Sequence, residues 1–256
     1  MIISLLGTGT SQGIPVIGCD CEVCTSLDFR DKRFRSSIHI QTEDQSFVVD
    51  TGPDFRMQAL RNKIKKLDAV LITHAHKDHT AGLDDIRAYN YTQKKDMPVY
   101  GRLETLEQLK KEFSYAFSEH KYPGIPEITL VEIKNQPFSI GKTEITPIEV
   151  MHYKLPVFGF RIKDFTYITD ANYISDQELE KVKGTKVLIL NALQKQEHIS
   201  HFNLEQALEV VEKIKPQKAY FTHIAHKMGL HRSVESELPA NVHLAYDSLV
   251  IDMDLI

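Results

Sequence analysis

The chain has 256 residues, 42% of them hydrophobic, enough for a sizeable core in one large domain or two small ones, and one is expected. Its formal net charge of -4 provides no global field for nucleic acid or an anionic membrane, so any phosphate recognition has to be local. MIISLLGTGT lacks the basic and apolar regions of a secretion signal, and no apolar run nears the ~18 residues of a membrane span, so the expected location is cytoplasmic.

Ile2 to Leu6 predicts a first strand. GTGTSQG, from Gly7 to Gly13, runs into Pro15 and a cysteine loop rather than a helix, so it predicts a tight turn and not a dinucleotide cradle, with Thr10 and Ser11 free to face a site. Cys19, Cys21 and Cys24 follow in one polar, glycine-flanked loop. Three thiolates call for a fourth ligand, and Zn commonly takes three cysteines and one histidine; His226 is the candidate. The basic run Arg30 to Ser37 predicts a solvated face, with no phosphate contact expected from Arg33 or Arg35. Ile38 to Thr42 and Ser46 to Asp50 alternate as two strands around a turn, and Asp54 to Asn62 reads as a helix.

AVLITHAHKDHTAGL, from Ala69 to Leu83, carries three histidines and an aspartate within six positions. Ala69 to Thr73 is apolar and β-branched, as a buried strand should be, and Thr80 to Tyr89 reads as a helix, so the polar cluster falls on the connection. The two-residue period points His74 and His76 the same way, and the turn into the helix brings Asp78 and His79 round to face them. A lone loop histidine is usually just solvated; four possible ligands this close together point to metal.

Further on, Pro98 to Gly101 predicts a strand, Glu104 to Phe117 a helix, and Lys121 to Gly124 a loop at the wall of a pocket. Ile128 to Thr169 is strand-rich, with His152 and Asp170 at strand ends. Ser175 to Val182 reads as a helix and Val187 to Asn191 as a strand. His198 and His201 precede a helix capped by Asn203, with Gln206 three residues on. Lys218 to Thr222 is a strand ending at His223, and His226 follows three residues later, so one loop can serve both a histidine cluster and the cysteines. Val242 to Tyr246 and Leu249 to Met253 close the chain as strands. His39, His120, His231 and His243 are read as structural.

His-x-His-x-Asp-His in this strand-to-helix setting resembles the signature of the metallo-β-lactamase superfamily. The resemblance implies an α/β chain, one domain over 1–256 in the αββα sandwich of that family. It implies one metal on His74, His76 and His152, a second on Asp78, His79 and His223, and Asp170 bridging the two. Asp50, in the place of the family's D-x-G aspartate, is expected to accept the free ring N–H of a ligand histidine; a helix N-cap is its plainer role. Asp78 and His201 are the expected catalytic residues, His201 as general acid in preference to His198. Tyr246-Asp247 with Ala245 resembles a late family motif.

The cysteine loop resembles one subgroup, the phosphoribosyl cyclic phosphodiesterases of the carbon-phosphorus lyase pathway, which carry such a structural zinc on residues matching Cys19, Cys21, Cys24 and His226. A similar loop occurs in relatives of the pyrroloquinoline quinone biosynthesis protein. The implied function is hydrolysis of a small phosphodiester with two divalent ions, Zn or Mn, and one structural Zn. A tRNA 3'-end endonuclease and a non-hydrolytic accessory protein of cofactor biosynthesis are the alternatives. The implied partner is a small phosphodiester; neither membrane nor nucleic acid is expected, and a homodimer is left open.

Overall fold

The computed structural model describes residues 1–118 and 122–256, so the expectations at His120 and Lys121 fall outside the described residues. Strands β1 (Ile2–Gly7), β2 (Ser37–Gln41), β3 (Ser46–Val49), β4 (Ala69–Leu71), β5 (Met97–Gly101), β6 (Ile128–Glu132) and β15 (Val250–Asp252) form one sheet, in the order β15-β1-β2-β3-β4-β5-β6. The second sheet holds β8 (Thr143–His152), β9 (Leu155–Ile162), β10 (Phe165–Ile168), β11 (Tyr173–Ile174), β12 (Val187–Asn191), β13 (Lys218–Thr222) and β14 (Val242–Leu244) in the order β11-β8-β9-β10-β12-β13-β14, with β7 (Phe138–Ile140) paired to β8. Among the described residues no helix is long and apolar enough to cross a membrane.

Both sheets follow one plan. Antiparallel pairs, β1-β2-β3 and β8-β9-β10, lead into parallel ones, β3-β4-β5-β6 and β10-β12-β13-β14. Parallel strands deliver their carboxyl ends to the same edge, and ligands in open α/β sheets gather there. Asp50 follows β3, His74 follows β4, Asp170 follows β10 and His223 follows β13, so four remote segments meet by topology alone.

The two-residue period of the strands sorts their side chains between layers. Phe47 and Val49 of β3 and Val187 and Ile189 of β12 enter the core between the sheets, with Phe160, Phe165 and Tyr167. Val48 turns outward to Leu106 and Leu109, while Leu188 and Leu190 turn to Val210 and Val211. Helices therefore cover each outer face. They are α1 (Glu22–Thr25), α2 (Phe55–Arg61), α3 (Lys77–Thr80), α4 (Arg87–Gln93), α5 (Leu103–Glu112), α6 (Asp176–Val182), α7 (Leu204–Ile214) and α8 (His231–Glu235). The arrangement is the expected αββα sandwich.

Two expectations need correction. The helix predicted over Thr80 to Tyr89 is broken into α3, a 3-10 turn over Leu83–Ile86, and α4. The break sits at Gly82, whose N–H donates to the Thr51 carbonyl at 2.9 Å and whose Cα lies so close to Gly52 that an added Cβ would stand 2.1 Å from the Gly52 oxygen. The basic run is not a solvated face either. Arg33 is 4% exposed and donates to Thr8 Oγ1 (2.7 Å) and the Ala245 carbonyl, with His231 Nδ1 at 3.1 Å, while Arg35 pairs with Asp54 at 3.0 Å. A guanidinium carries five donors, and these partners take up three of them, which offsets much of the cost of burying it.

Candidate metal centre

The connection after β4 and the short α3 that follows are tied down by neighbouring segments. Ile72 N donates to the Tyr100 carbonyl (2.8 Å), Phe158 N to the Thr73 carbonyl (3.2 Å), and Thr51 N to the His79 carbonyl (2.8 Å). On this fixed backbone His74 Nε2 and His76 Nδ1 stand 2.9 Å apart. His152, ending β8, gives its Nδ1 hydrogen to the Ser200 carbonyl at 2.8 Å, which leaves Nε2 free as an acceptor. Its ring lies 5.5 Å from that of His74 and 5.1 Å from that of His76. The three residues form one cluster able to hold an ion.

Asp78, His79, Asp170 and His223 form the adjoining cluster. His79 Nε2 lies 3.1 Å from Asp78 Oδ2 and 3.3 Å from Asp170 Oδ2, and His223 Nδ1 lies 3.2 Å from the same Asp170 oxygen. Asp50, Asp170 and His223 all have positive φ, at 65°, 57° and 55°. Non-glycine residues in the left-handed region are uncommon and cluster at functional sites. Asp50 accepts from His79 Nδ1 (2.7 Å), Thr73 N (2.8 Å) and Thr73 Oγ1 (2.9 Å), contacts that fix the orientation of the ring. The N-cap of α2 is Asp54 instead.

The electrostatics match a cation site. Burial lowers His74 well below its ordinary value, with His79 adding to it, so the ring is neutral and one of its nitrogens is free to accept. Burial alone would lower His79 and raise Asp170, yet Asp170, Asp50 and Asp78 hold His79 well above its ordinary value, while His223 and His79 hold Asp170 well below. Three carboxylates thus draw a proton onto a buried imidazole where a divalent ion would serve better. His79 Nε2, His223 Nδ1 and His201 Nδ1 are buried with no hydrogen-bond partner among the described residues. Unpaired buried nitrogens aimed at one carboxylate are what a metal would satisfy. The residues present therefore fit two ions.

His201 lies beside both clusters, its ring 4.6 Å from that of His152 and 4.8 Å from that of His223, with Nδ1 3.7 Å from Asp170 Oδ1. Burial, with His223 next, pushes it down to about 3. His198 is exposed and turned to Ser200 of its own loop. Two contacts were not evident from the sequence. Thr10 Oγ1 lies 3.2 Å from His223 Nε2, although the GTGT turn suggested only that Thr10 could face a site. The Ser200 carbonyl that orients His152 belongs to the backbone, which leaves no residue-type signal.

A separate cluster gathers the sulfurs. Cys19, Cys21 and Cys24 Sγ lie 3.3, 3.4 and 3.5 Å from His226 Nδ1. Val16 N also donates to Cys24 Sγ at 3.3 Å, and the half-buried Cys21 thiol is drawn down to about 6 by backbone hydrogen bonding at Cys24. Three sulfurs converging on one ring nitrogen suit a closed tetrahedral ion. The other expected structural histidines take ordinary partners: His39 Nε2 meets Ser46 Oγ (2.8 Å) and His243 Nδ1 meets Glu235 (2.8 Å).

Comparisons with known proteins agree with this geometry. A crystal structure of a new diphosphatase from the PhnP family superposes with a TM-score of 0.92 at 35% identity, covering 98% of this chain and 97% of the other. Zn-bound PqqB from Methylobacterium extorquens gives 0.80 at 17% identity, over 99% of this chain and all (100%) of that one, a likeness of fold alone. In sequence, an octanoyltransferase of Porphyromonas gingivalis is 38% identical over 98% of this chain and 51% of its own length. A ribonuclease Z of Staphylococcus epidermidis is 27% identical over 60% of this chain and 47% of its own. The chain thus spans about half the length of these curated relatives. With the sandwich, the His/Asp cluster at its strand ends, and residues 45–224 matched by the family described as "Beta-lactamase superfamily domain", the chain belongs to the β-lactamase superfamily.

Proposed function

We propose that the chain is a dinuclear phosphodiesterase acting on a small cyclic ribose phosphate, such as a phosphoribosyl cyclic phosphate. The observation that carries this is Asp170, a buried carboxylate within 3.3 Å of nitrogens from His79 and His223 and beside the His74, His76 and His152 cluster. The full-length likeness to a PhnP-family diphosphatase supports phosphorus as the reacting centre. The name octanoyltransferase belongs to a protein of which this chain matches half, and both clusters here are of residues that could hold a metal ion.

In this reading His74, His76 and His152 would hold one ion and Asp78, His79 and His223 the other, with Asp170 shared between them. Two divalent ions there supply Lewis acidity and an activated water. Asp50 keeps His79 in the tautomer that presents Nε2, and Ser200 does the same for His152. His201 donates a proton to the departing sugar oxygen. The free protein leaves it unprotonated, so the charge of the bound diester has to raise its pKa. Cys19, Cys21, Cys24 and His226 hold the structural ion.

Purified protein with added Mn or Zn should turn over bis(p-nitrophenyl) phosphate, and a panel of 1,2-cyclic ribose phosphates, 2',3'-cyclic nucleotides and a pre-tRNA should show its preference. Cleavage of pre-tRNA alone would favour the ribonuclease Z likeness. No turnover under any metal would favour a non-hydrolytic accessory role. Asp170→Ala should lose metal and activity together; full occupancy with normal turnover removes the bridging role.

A further inference from the structure

A cavity of about 520 Å³ opens beside His74 and His76, walled by Arg102, Gln108, Leu155 and Pro156. The cavity is therefore within reach of a group attached to a phosphorus held at those histidines. Arg102 follows β5, at the same sheet edge that carries the metal cluster. Its guanidinium lies over the ring of Phe158, with Cζ 4.8 Å from the centroid, and Phe158 is buried beneath it. NH1 is bonded to the Glu149 carboxylate, and Nε lies 3.7 Å from Glu104. The side chain is 23% exposed, and what remains open faces the cavity it lines.

Such an arginine is a poor anchor for a further phosphate. Its charge is already opposed by two carboxylates, Glu149 on NH1 and Glu104 near Nε, which weakens its pull on an anion. A guanidinium held over an aromatic ring at the wall of a cavity is better suited to stack on a planar group, because its planar face is weakly hydrated. Leu155 and Pro156 supply apolar walls, and the Gln108 amide offers an edge able to meet ring nitrogens and carbonyls.

We propose that this cavity seats a planar heteroaromatic base carried by the diester, so that among the cyclic ribose phosphates those bearing a base are preferred. The proposal rests on the phosphodiesterase reading above. Calorimetric binding of adenosine monophosphate and of ribose 5-phosphate to the metal-loaded protein tests it. The nucleotide should bind about tenfold tighter, the order expected for one stacked base. Arg102→Lys, which keeps the charge and removes the plane, should abolish that preference while ribose 5-phosphate binding stays. Leu155→Ser, which roughens the apolar wall without adding charge beside Arg102 or the phosphate, should do the same, which guards against a misfolded first variant. Equal affinities in the wild type, or an equal loss for both ligands in Arg102→Lys, overturn the proposal, the latter by showing an anion subsite. Turnover of bis(p-nitrophenyl) phosphate separates the two readings. If it occurs without a base preference, only the cavity assignment fails; if it is absent, the phosphodiesterase reading fails and this proposal with it.

Discussion

His223 reaches the centre from a left-handed backbone position, and one hydroxyl decides which of its nitrogens is offered. The Nε2 hydrogen goes to Thr10 Oγ1, leaving Nδ1 toward Asp170. Thr10→Val keeps the shape and removes the acceptor, and loss of such a partner typically lowers metal affinity about 10- to 100-fold. Chelator competition should show one weakened ion and Thr10→Ser should restore it; unchanged affinity in Thr10→Val would remove the positioning role. For His201 the leaving group is the test. General acid catalysis contributes about 10² to 10⁴ in rate and matters less when the leaving group is already acidic. His201→Ala should therefore cripple hydrolysis of a ribose diester and spare a p-nitrophenyl diester, with metal content unchanged. Equal losses on both, or loss of an ion, would mean His201 is a ligand or a support, since it also groups with His152 and Asp170.

At the scale of elements, β13 and the loop after it join the two metal clusters. His223 ends the strand, Ile224 N donates to the Thr8 carbonyl (2.9 Å), Thr10 N to the Ile224 carbonyl (3.1 Å), and His226 starts the next turn among the cysteines. The cysteine loop has a small core of its own, Ile14 and Val23 with Cys24 and Leu230. That is little apolar area to order a loop, so metal binding has to contribute, and such binding free energy is folding free energy. Cys21→Ser should remove one Zn per chain and lower Tm. Retention of both the Zn count and Tm would eliminate the structural site.

Across the whole molecule, two buried histidines in different regions should set the acid limit of stability. Burial pushes His39 down to about 4, and burial followed by Arg33 does the same to His231. Between pH 6.5 and 4 the unfolded chain takes up protons that the folded chain refuses. Stability is therefore full above pH 6.5 and falls as pH drops through that window, by up to about 3 kcal/mol for each histidine. Asp247, pushed up to about 6 by burial, works the other way between its unfolded value and pH 6, because the folded state keeps its proton longer, and it offsets part of this loss. Urea unfolding from pH 7 to 4 should show the decline, and His39→Gln should flatten it. An acid limb of the same slope in that variant would show that His39 does not titrate on unfolding.

The strands were legible in the residues because apolar β-branched runs state their own conformation: Val187–Asn191 and Lys218–Thr222 are strands over the ranges expected. The capping box at Asn203 and Gln206 is equally local and is present. The histidine stretch declared metal because four donor side chains within six residues have little else to do in common. What lay beyond the sequence was non-local. Gly82 breaks a helix because Gly52, from another segment, presses on it. Arg33, in a basic run, is buried because Thr8, Ala245 and His231 happen to meet there. Arg102 and Thr10 acquired their places only when the parallel strands delivered their ends to one edge. A residue's type records what it can bond, and the fold alone decides which partners it finds.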